Sequence, residues 1–189
     1  MTKGESAWQG EQDRNRVWLR WLIRLRWVAI SSQIATLIIT FNLFQSDALA
    51  FSLFGVSGLL ILVNLLSHQR WSLSEPVNQT TLFLQLCVDI TALTAFFILG
   101  GGGQNPFTSL YMIHVALAAI VLEPRWATAA AVLVMGCYAF VHLAYFPLDL
   151  QSPGWNQASL MPIGRIISRF ITTISITAFV IAIASSQRQ

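Results

Sequence analysis

The chain of 189 residues is 55% hydrophobic and only 10% charged, and its formal net charge at pH 7 is +3. Soluble domains carry about 25% charged residues, so this chain has too few polar side chains to cover a globule in water. The composition therefore excludes an ordinary soluble domain and indicates an integral membrane protein.

Residues 1–26, which precede the first apolar block, are predicted to form a cytoplasmic segment with an amphipathic helix over Arg14–Trp27. Arg16, Arg20 and Arg24 recur every four residues, and tryptophan and leucine side chains lie on the opposite helical face. We expect this helix to lie at the cytoplasmic headgroups before the chain turns into the bilayer. Packing on a cytoplasmic domain or on a dimer partner is the alternative.

Six apolar blocks follow, and each approaches or exceeds the roughly 17–25 residues that a helix needs to cross a bilayer. Backbone polar groups in hydrocarbon must be satisfied within each segment, so the sequence predicts an all-α, polytopic fold with six transmembrane helices. Very short connections make spans one and two, and spans four and five, antiparallel hairpins. The predicted spans are Trp27–Phe44, Leu49–Leu66, Thr81–Leu99, Pro106–Leu122, Trp126–Phe146 and Ile163–Ala184.

The distribution of lysine and arginine predicts the orientation, because cytoplasmic loops carry an excess of both. Nine of the eleven would lie on the side of the N-terminus, so we predict cytoplasmic N- and C-termini. The basic charge then reflects topology and contact with membrane lipid, and no nucleic-acid partner is expected. The nine are Lys3, Arg14, Arg16, Arg20, Arg24, Arg26, Arg70, Arg125 and Arg188, against Arg165 and Arg169 on the other side.

The connection between spans three and four, Gly100–Phe107, reads GGGGQNPF. Its glycines permit positive φ and close backbone approach, Asn105 occupies a predicted N-cap, and Pro106 suits the first turn of the fourth helix. A well-made turn is one interpretation. Because the loop carries no charge but offers backbone donors, side-chain amides and the ring of Phe107, it also suits a flat, lipid-soluble ligand with carbonyl acceptors.

The heptapeptide Gly101–Phe107 has the pattern GGxxNPF, which resembles the signature of the RegB/PrrB family of redox-responsive sensor histidine kinases. The sequence Arg24-Leu25-Arg26-Trp27 and the six-span layout resemble that family as well. The resemblance implies two-component signal transduction in a bacterial inner membrane, with ubiquinone or another membrane quinone bound near the motif and a signal passed through the sixth span. The implied quinone-binding residues are Gly101, Gly102, Gly103, Gln104, Asn105, Pro106 and Phe107.

The resemblance also implies a domain order. Residues 27–184 would form the six-helix sensor domain, and residues 185–189 would begin a cytoplasmic linker to a kinase region. The 189 residues themselves contain no catalytic domain, since the family's phosphoacceptor helices, ATP-binding domain and regulatory cysteine would all follow the sixth span. The full-length protein would be an ATP-dependent histidine kinase, a homodimer, and the partner of a cytoplasmic response regulator through its kinase region.

One ionisable side chain, Asp89, lies near the middle of the third span, where a charge is costly. At about 1.5 Å per residue it lies about 20 Å from the glycine-rich connection, too far for direct contact with a ligand held there. We therefore predict that Asp89 joins helices inside the bundle, protonated or paired. A signalling or proton-linked role is the alternative.

Four other polar side chains are possible accessory ligands. Arg169 and His142 share the outer leaflet with Asn105, so either could donate to a quinone carbonyl, and a histidine could move a proton when a quinol is oxidised. A helix–helix hydrogen bond for His142 and snorkelling to the headgroups for Arg169 are the alternatives. Tyr111 and His114 are weaker candidates.

Two other functions remain open at this point. A small transporter or channel would line a polar path with Asp89, His114 and Arg169, whereas a structural subunit of a membrane complex would bind no ligand. No nucleotide loop, zinc motif or catalytic carboxylate pair is present in the sequence, so no catalytic residue is predicted. Cys87 and Cys137 are far apart in the sequence, and no metal site is expected.

Overall fold

The computed structural model describes residues 3–40, 47–72, 76–146, 151–152 and 155–186. Within these ranges, α-helices dominate, and one two-residue antiparallel hairpin, β1 (Gln151–Ser152) with β2 (Trp155–Asn156), precedes the last helix. Two short 3₁₀ turns, Gly102–Gln104 and Thr108–Leu110, lie between the third and fourth helices. The helices are α1 (Lys3–Thr40), α2 (Asp47–Ser72), α3 (Gln79–Leu99), α4 (Tyr111–Val121), α5 (Pro124–Leu143) and α6 (Gln157–Ser186).

The predicted all-α membrane fold is confirmed. Five of the described helices are long and apolar enough to cross a bilayer, and a shorter apolar stretch, Thr108–Val121, forms the fourth. The predicted fourth span, Pro106–Leu122, begins too early, because Pro106 and Phe107 form a turn ahead of the helix. The fourth stretch falls below the roughly 17 residues that span hydrocarbon, so it does not cover the full thickness by itself.

The predicted turn between the interfacial helix and the first span is wrong. A single helix, α1, runs through both segments, from Lys3 to Thr40. The reason is local: beyond Gly10 this stretch contains neither glycine nor proline, so nothing in the backbone ends the helix. The predicted amphipathic pattern is kept only in part inside this longer helix, because Leu22 is buried and Arg20 is exposed, but Trp21 of the predicted apolar face is 52% exposed.

Two contacts fix α1 beside α3. Near the start of α1, the Asn15 side-chain amide donates to the Val77 carbonyl, just before α3, across 3.0 Å. Further along α1, Arg26 pairs with Asp89, which lies in the middle of α3. Because both contacts advance in the same direction along the two helices, α1 and α3 run parallel. Arg26 therefore lies deep in the bundle rather than at the membrane surface where the sequence predicted it.

Large side chains of α3, α4 and α5 form the centre of the bundle, with Leu82, Leu86 and Ile90 of α3 at most 2% exposed. At the end of α3 that precedes the glycine-rich connection, the ring of Phe97 meets Tyr111 edge-on at 5.3 Å between centroids. Apolar side chains on the outside of α2, α5 and α6 remain exposed, as a lipid-facing surface requires. The packed centre thus provides a rigid base for the loop above it.

Candidate functional site: the cleft between the glycine-rich loop and α6

We refer to residues 100–107 as the loop and to the end of the bundle where they lie as the loop end. Gly100 ends α3, and its N–H donates to the carbonyls of Phe96 and Phe97 at 2.9 and 3.1 Å. Gly101 and Gly102 then adopt φ of 93° and 61°, the left-handed region that favours glycine. A Cβ on Gly102 would also lie 2.5 Å from the Val141 carbonyl oxygen of α5. The glycines therefore allow both the reversal of the chain and its close approach to α5.

The Asn105 side chain closes the loop. Its Nδ2 donates to the Gly100 carbonyl at 2.7 Å, and its Oδ1 accepts from the Phe107 N–H at 2.9 Å. The residue is only 9% exposed. The predicted N-cap on the fourth helix is wrong, because Asn105 precedes that helix by a turn and a 3₁₀ segment. Both ends of the amide have protein partners, so this side chain shapes the loop rather than reaching outward.

The loop is held between α5 and α6. A Cβ on Gly103 would lie 2.3 Å from the ring of His142 near the end of α5, so the backbone rests directly on that ring. On the other side, a Cβ on Gly164 of α6 would lie 2.7 Å from the ring of Pro106. Gly164 therefore permits α6 to approach the loop closely. Because the two residues are in contact, Gly164 lies at the same height along the bundle as Pro106.

A cleft of about 290 Å³ lies between the loop and α6. Four predicted motif residues, Gly103–Pro106, line one side, and the predicted accessory residue Arg169 lines the other. The structure adds residues that the sequence did not predict, namely Thr108, Ser109 and Arg165. Guanidinium groups only donate hydrogen bonds and hydroxyl groups donate readily, so the cleft suits a ligand that offers acceptor oxygens.

A short row of hydroxyl groups joins the loop end of α4 to α6. The Ser109 hydroxyl lies 2.5 Å from that of Ser168 and 3.2 Å from that of Thr172. Ser168 and Thr172 are buried and lie one turn apart, so they form one polar face of α6. Sequence reasoning missed this row because single hydroxyl residues are common in membrane helices, although the spacing of Ser168 and Thr172 was a signal.

The remaining motif residues lie around the cleft rather than along it. Gly101 and Gly102 are buried, with Gly102 against the side chain of Tyr145. Phe107 is half-buried, and its ring borders Gly164. Among the residues that the structure describes, these three therefore support the loop, and their predicted contact with a quinone stays a prediction.

The other accessory candidates are separate from the cleft. His142 is exposed, and its Nδ1 lies 2.8 Å from the backbone carbonyl of Tyr138. The Tyr111 hydroxyl is buried and bonded to Thr94 at 2.8 Å. The ring of His114 lies 3.3 Å from the carbonyl one turn earlier in α4. Each of these side chains thus has a local partner, and only Arg169 of the four lines the described cleft.

Asp89 forms a buried ion pair with Arg26, whose side chain is 2% exposed against 16% for Asp89. The guanidinium donates Nε to Oδ1 at 2.5 Å and Nη2 to Oδ2 at 3.1 Å. It also donates to the backbone carbonyl and to the side-chain oxygen of Gln85. That side-chain oxygen accepts a second hydrogen bond from the Ser67 hydroxyl of α2. This network joins α1, α2 and α3, as the interhelical interpretation of Asp89 predicted. It does not place Asp89 with Arg169 along one path.

In the described part of the chain, no group of three or more histidine, cysteine or acidic residues could hold a metal ion. The two described cysteines, Cys87 and Cys137, are half-buried and free.

Comparison with known proteins agrees with the resemblance inferred from the motif. The model of the PilS-like transmembrane domain matches residues 8–187 of the chain. The sensor histidine kinase RegB of Cereibacter sphaeroides is 28% identical over 133 residues, which cover 70% of this chain and 28% of that protein. The chain thus spans less than a third of this relative's length. No solved structure matches it.

Proposed function

Because the chain belongs to the PilS-like transmembrane domain family, we propose that it is the quinone-binding sensor region of a redox-responsive histidine kinase. The single observation that carries the proposal is the cleft, where the motif residues Gly103–Pro106 face Arg169 of α6. The likeness to RegB supports the kinase output, and the multi-pass helical fold of a bacterial inner-membrane protein supports a lipid-soluble ligand.

The chemistry of the cleft suits a quinone headgroup. A quinone presents two carbonyl oxygens, which are acceptors, and Arg169, Ser109 and Thr108 can donate to them. The ring of Pro106 supplies an apolar surface for the flat headgroup. The cleft is close to the lower limit of about 300 Å³ for small-molecule sites, so it would hold the headgroup while the apolar tail lies against the exposed surface of α6.

Signalling would proceed through α6, because this helix carries two cleft residues and two members of the hydroxyl row, Ser168 and Thr172. A ligand can shift the position of α6 only if it binds one arrangement of the helix more tightly than another. Arg169 and Ser168 are adjacent in the sequence, so a movement at the cleft would also disturb the bond between Ser168 and Ser109. The C-terminal end of α6 would carry that movement toward the kinase region.

Quinone binding tests the site. We expect Arg169→Gln to weaken binding of a short-tail ubiquinone by about tenfold, or about 1.4 kcal/mol, because it removes a charged donor. Arg125→Gln is the matched control, since Arg125 has a side chain that is 75% exposed and lies outside the cleft. Binding would be measured on the purified protein in nanodiscs. Equal affinity in the wild type and Arg169→Gln would refute the cleft as the quinone site.

The kinase output is tested separately. We expect the coding sequence that follows Gln189 to specify a phosphoacceptor helix and then an ATP-binding domain. A stop codon in place of that sequence would remove the kinase from the proposal and leave a quinone-binding membrane protein. Transport assays in proteoliposomes would then distinguish a small transporter from a structural subunit.

A further inference from the structure

The arginines of the bundle differ in how their charges are compensated. Arg26 has Asp89, and the Arg125 side chain lies 3.4 Å from a carboxylate oxygen of Glu123. Arg165 and Arg169 have no carboxylate partner among the described residues. Unpaired cations near hydrocarbon are unfavourable and commonly mark ligand or ion sites.

Arg165 and Arg169 both line the same cleft. They lie four residues apart on α6 and therefore on one face of the helix, about one turn of 5.4 Å apart. Thr108 and Ser109 also line the cleft and add hydroxyl groups. The described residues that line the cleft include no acidic side chain. The cleft thus combines two positive charges with neutral donors.

This combination exceeds what a neutral quinone can use. A quinone carbonyl accepts hydrogen bonds but leaves both positive charges uncompensated. A phosphate diester carries one negative charge that its two non-bridging acceptor oxygens share, and guanidinium groups bind phosphate through paired, charge-assisted hydrogen bonds. The charge of the cleft therefore fits a phosphate group better than it fits a quinone alone.

The depth of the cleft favours a lipid as the source of that phosphate. Gly164 contacts Pro106, so Arg165 lies at the level of the loop and Arg169 lies one turn further into the bundle. Lipid phosphates occupy the interfacial zone that borders about 30 Å of hydrocarbon, where exposed arginine side chains reach them. The exposed apolar residues Ile166 and Phe170 of the same helix would contact the acyl chains.

We propose that Arg165 and Arg169 bind the phosphate of an anionic phospholipid headgroup in this cleft. Lipid and quinone would then compete for the same cleft, and this competition rests on the proposed quinone function. The lipid would act as a regulator by lowering the apparent affinity for quinone. Binding of the phosphate itself does not depend on the quinone proposal.

The first experiment measures lipid enrichment. The purified protein would be placed in nanodiscs with equal amounts of phosphatidylglycerol and phosphatidylcholine, and lipids that remain after delipidation in mild detergent would be quantified. We expect the wild type to retain phosphatidylglycerol about fivefold over phosphatidylcholine, an excess of about 1 kcal/mol in binding free energy. R165Q/R169Q should lose most of this preference, and R125Q should keep it. Equal enrichment in the wild type and R165Q/R169Q would overturn the proposal.

Two further arms separate the alternatives. In the first, inorganic phosphate would be titrated against the lipid that the protein retains. If low millimolar phosphate displaces this lipid and the protein shows no preference for phosphatidylglycerol, the site binds a free anion and the lipid assignment is overturned. Quinone affinity would then be compared in nanodiscs of each lipid. Competition is supported if quinone binds more weakly in phosphatidylglycerol than in phosphatidylcholine and if R165Q removes this difference between the lipids. Lipid enrichment without any quinone binding would refute the quinone function alone.

Discussion

The charge of Asp89 is tolerated inside the bundle because Arg26 meets both of its carboxylate oxygens. Burial of either charge alone would be unfavourable, so the two residues depend on one another. Gln85 occupies further donor capacity of the guanidinium and links the pair to α2 through Ser67. The pair therefore holds three helices at one register in the membrane.

Removal of one partner should destabilise the protein strongly. We expect Asp89→Asn to lower the free energy of unfolding by about 3–5 kcal/mol, because Arg26 would keep a buried charge without a counter-ion. The double variant Arg26→Met/Asp89→Leu should recover most of that loss. Arg20→Gln, at an exposed position of the same helix, should change stability by less than about 0.5 kcal/mol.

Unfolding in detergent, followed by tryptophan fluorescence or loss of monodispersity on heating, would provide the measurement. Wild-type stability in Asp89→Asn would show that the ion pair does not hold the helices together. A double variant as unstable as Asp89→Asn would instead show that shape, and not charge, is what the site requires.

The sequence predicted the role of Asp89 but not its partner. An acidic residue in the middle of a span needs compensation, and that much follows from the cost of a charge in hydrocarbon. Arg26 was assigned to a surface helix because basic residues cluster at cytoplasmic interfaces. Its true depth depends on the register of α1 against α3, which long-range contacts such as Asn15 to Val77 determine. Such contacts are not visible in a local pattern.

At the scale of elements, the shape of the loop depends on its glycines, which the sequence analysis interpreted correctly, and on the hydrogen bonds of Asn105, which it did not predict. The glycines predicted a tight turn, and the positive φ at Gly101 and Gly102 agrees with that prediction. The bonds of Asn105 to Gly100 and Phe107 were not predicted, because a helix start at Pro106 explained the same residues equally well. A cleft against α6 could not be predicted at all, since it arises where distant segments meet.

Substitution within the loop should therefore be far more damaging than the same change in a helix. In Gly102→Ala the new Cβ would meet Tyr145 and the Val141 carbonyl at a φ of 61°, and we expect a loss of about 1–3 kcal/mol from backbone strain alone. Gly58→Ala in α2 is the control, because nothing lies within 4 Å of a Cβ there. Alanine at that position should stabilise the helix by about 0.5–1 kcal/mol.

Thermal unfolding in detergent would compare the two glycine variants under the same conditions. Quinone binding would be measured alongside, since a loop that changes shape should also lose the cleft. If Gly102→Ala proved as stable as the wild type, the close approach of the loop to α5 would be wrong.

At the scale of the whole molecule, one polar cluster marks the end of the bundle opposite the loop. The Gln79 side chain donates to Asn15 of α1 at 3.3 Å and accepts from the Glu123 N–H at 3.0 Å. These contacts join the beginning of α3, the amino-terminal part of α1 and the α4–α5 connection. Together with the loop, they define two ends of the bundle, and charge then predicts which end faces the cytoplasm.

The two ends should be labelled from opposite sides of the membrane. In a Cys87→Ala/Cys137→Ala background, we would compare Arg125→Cys at the Gln79 end with Gln104→Cys at the loop end, both exposed positions. Because basic residues are retained on the cytoplasmic side, we expect a membrane-impermeant maleimide to label Gln104→Cys in intact spheroplasts and Arg125→Cys only in inverted vesicles. The unsubstituted background is the control for leakage. The reverse pattern would invert the predicted orientation, and labelling of both positions from one side would contradict the single crossing, through the fourth span, that separates them.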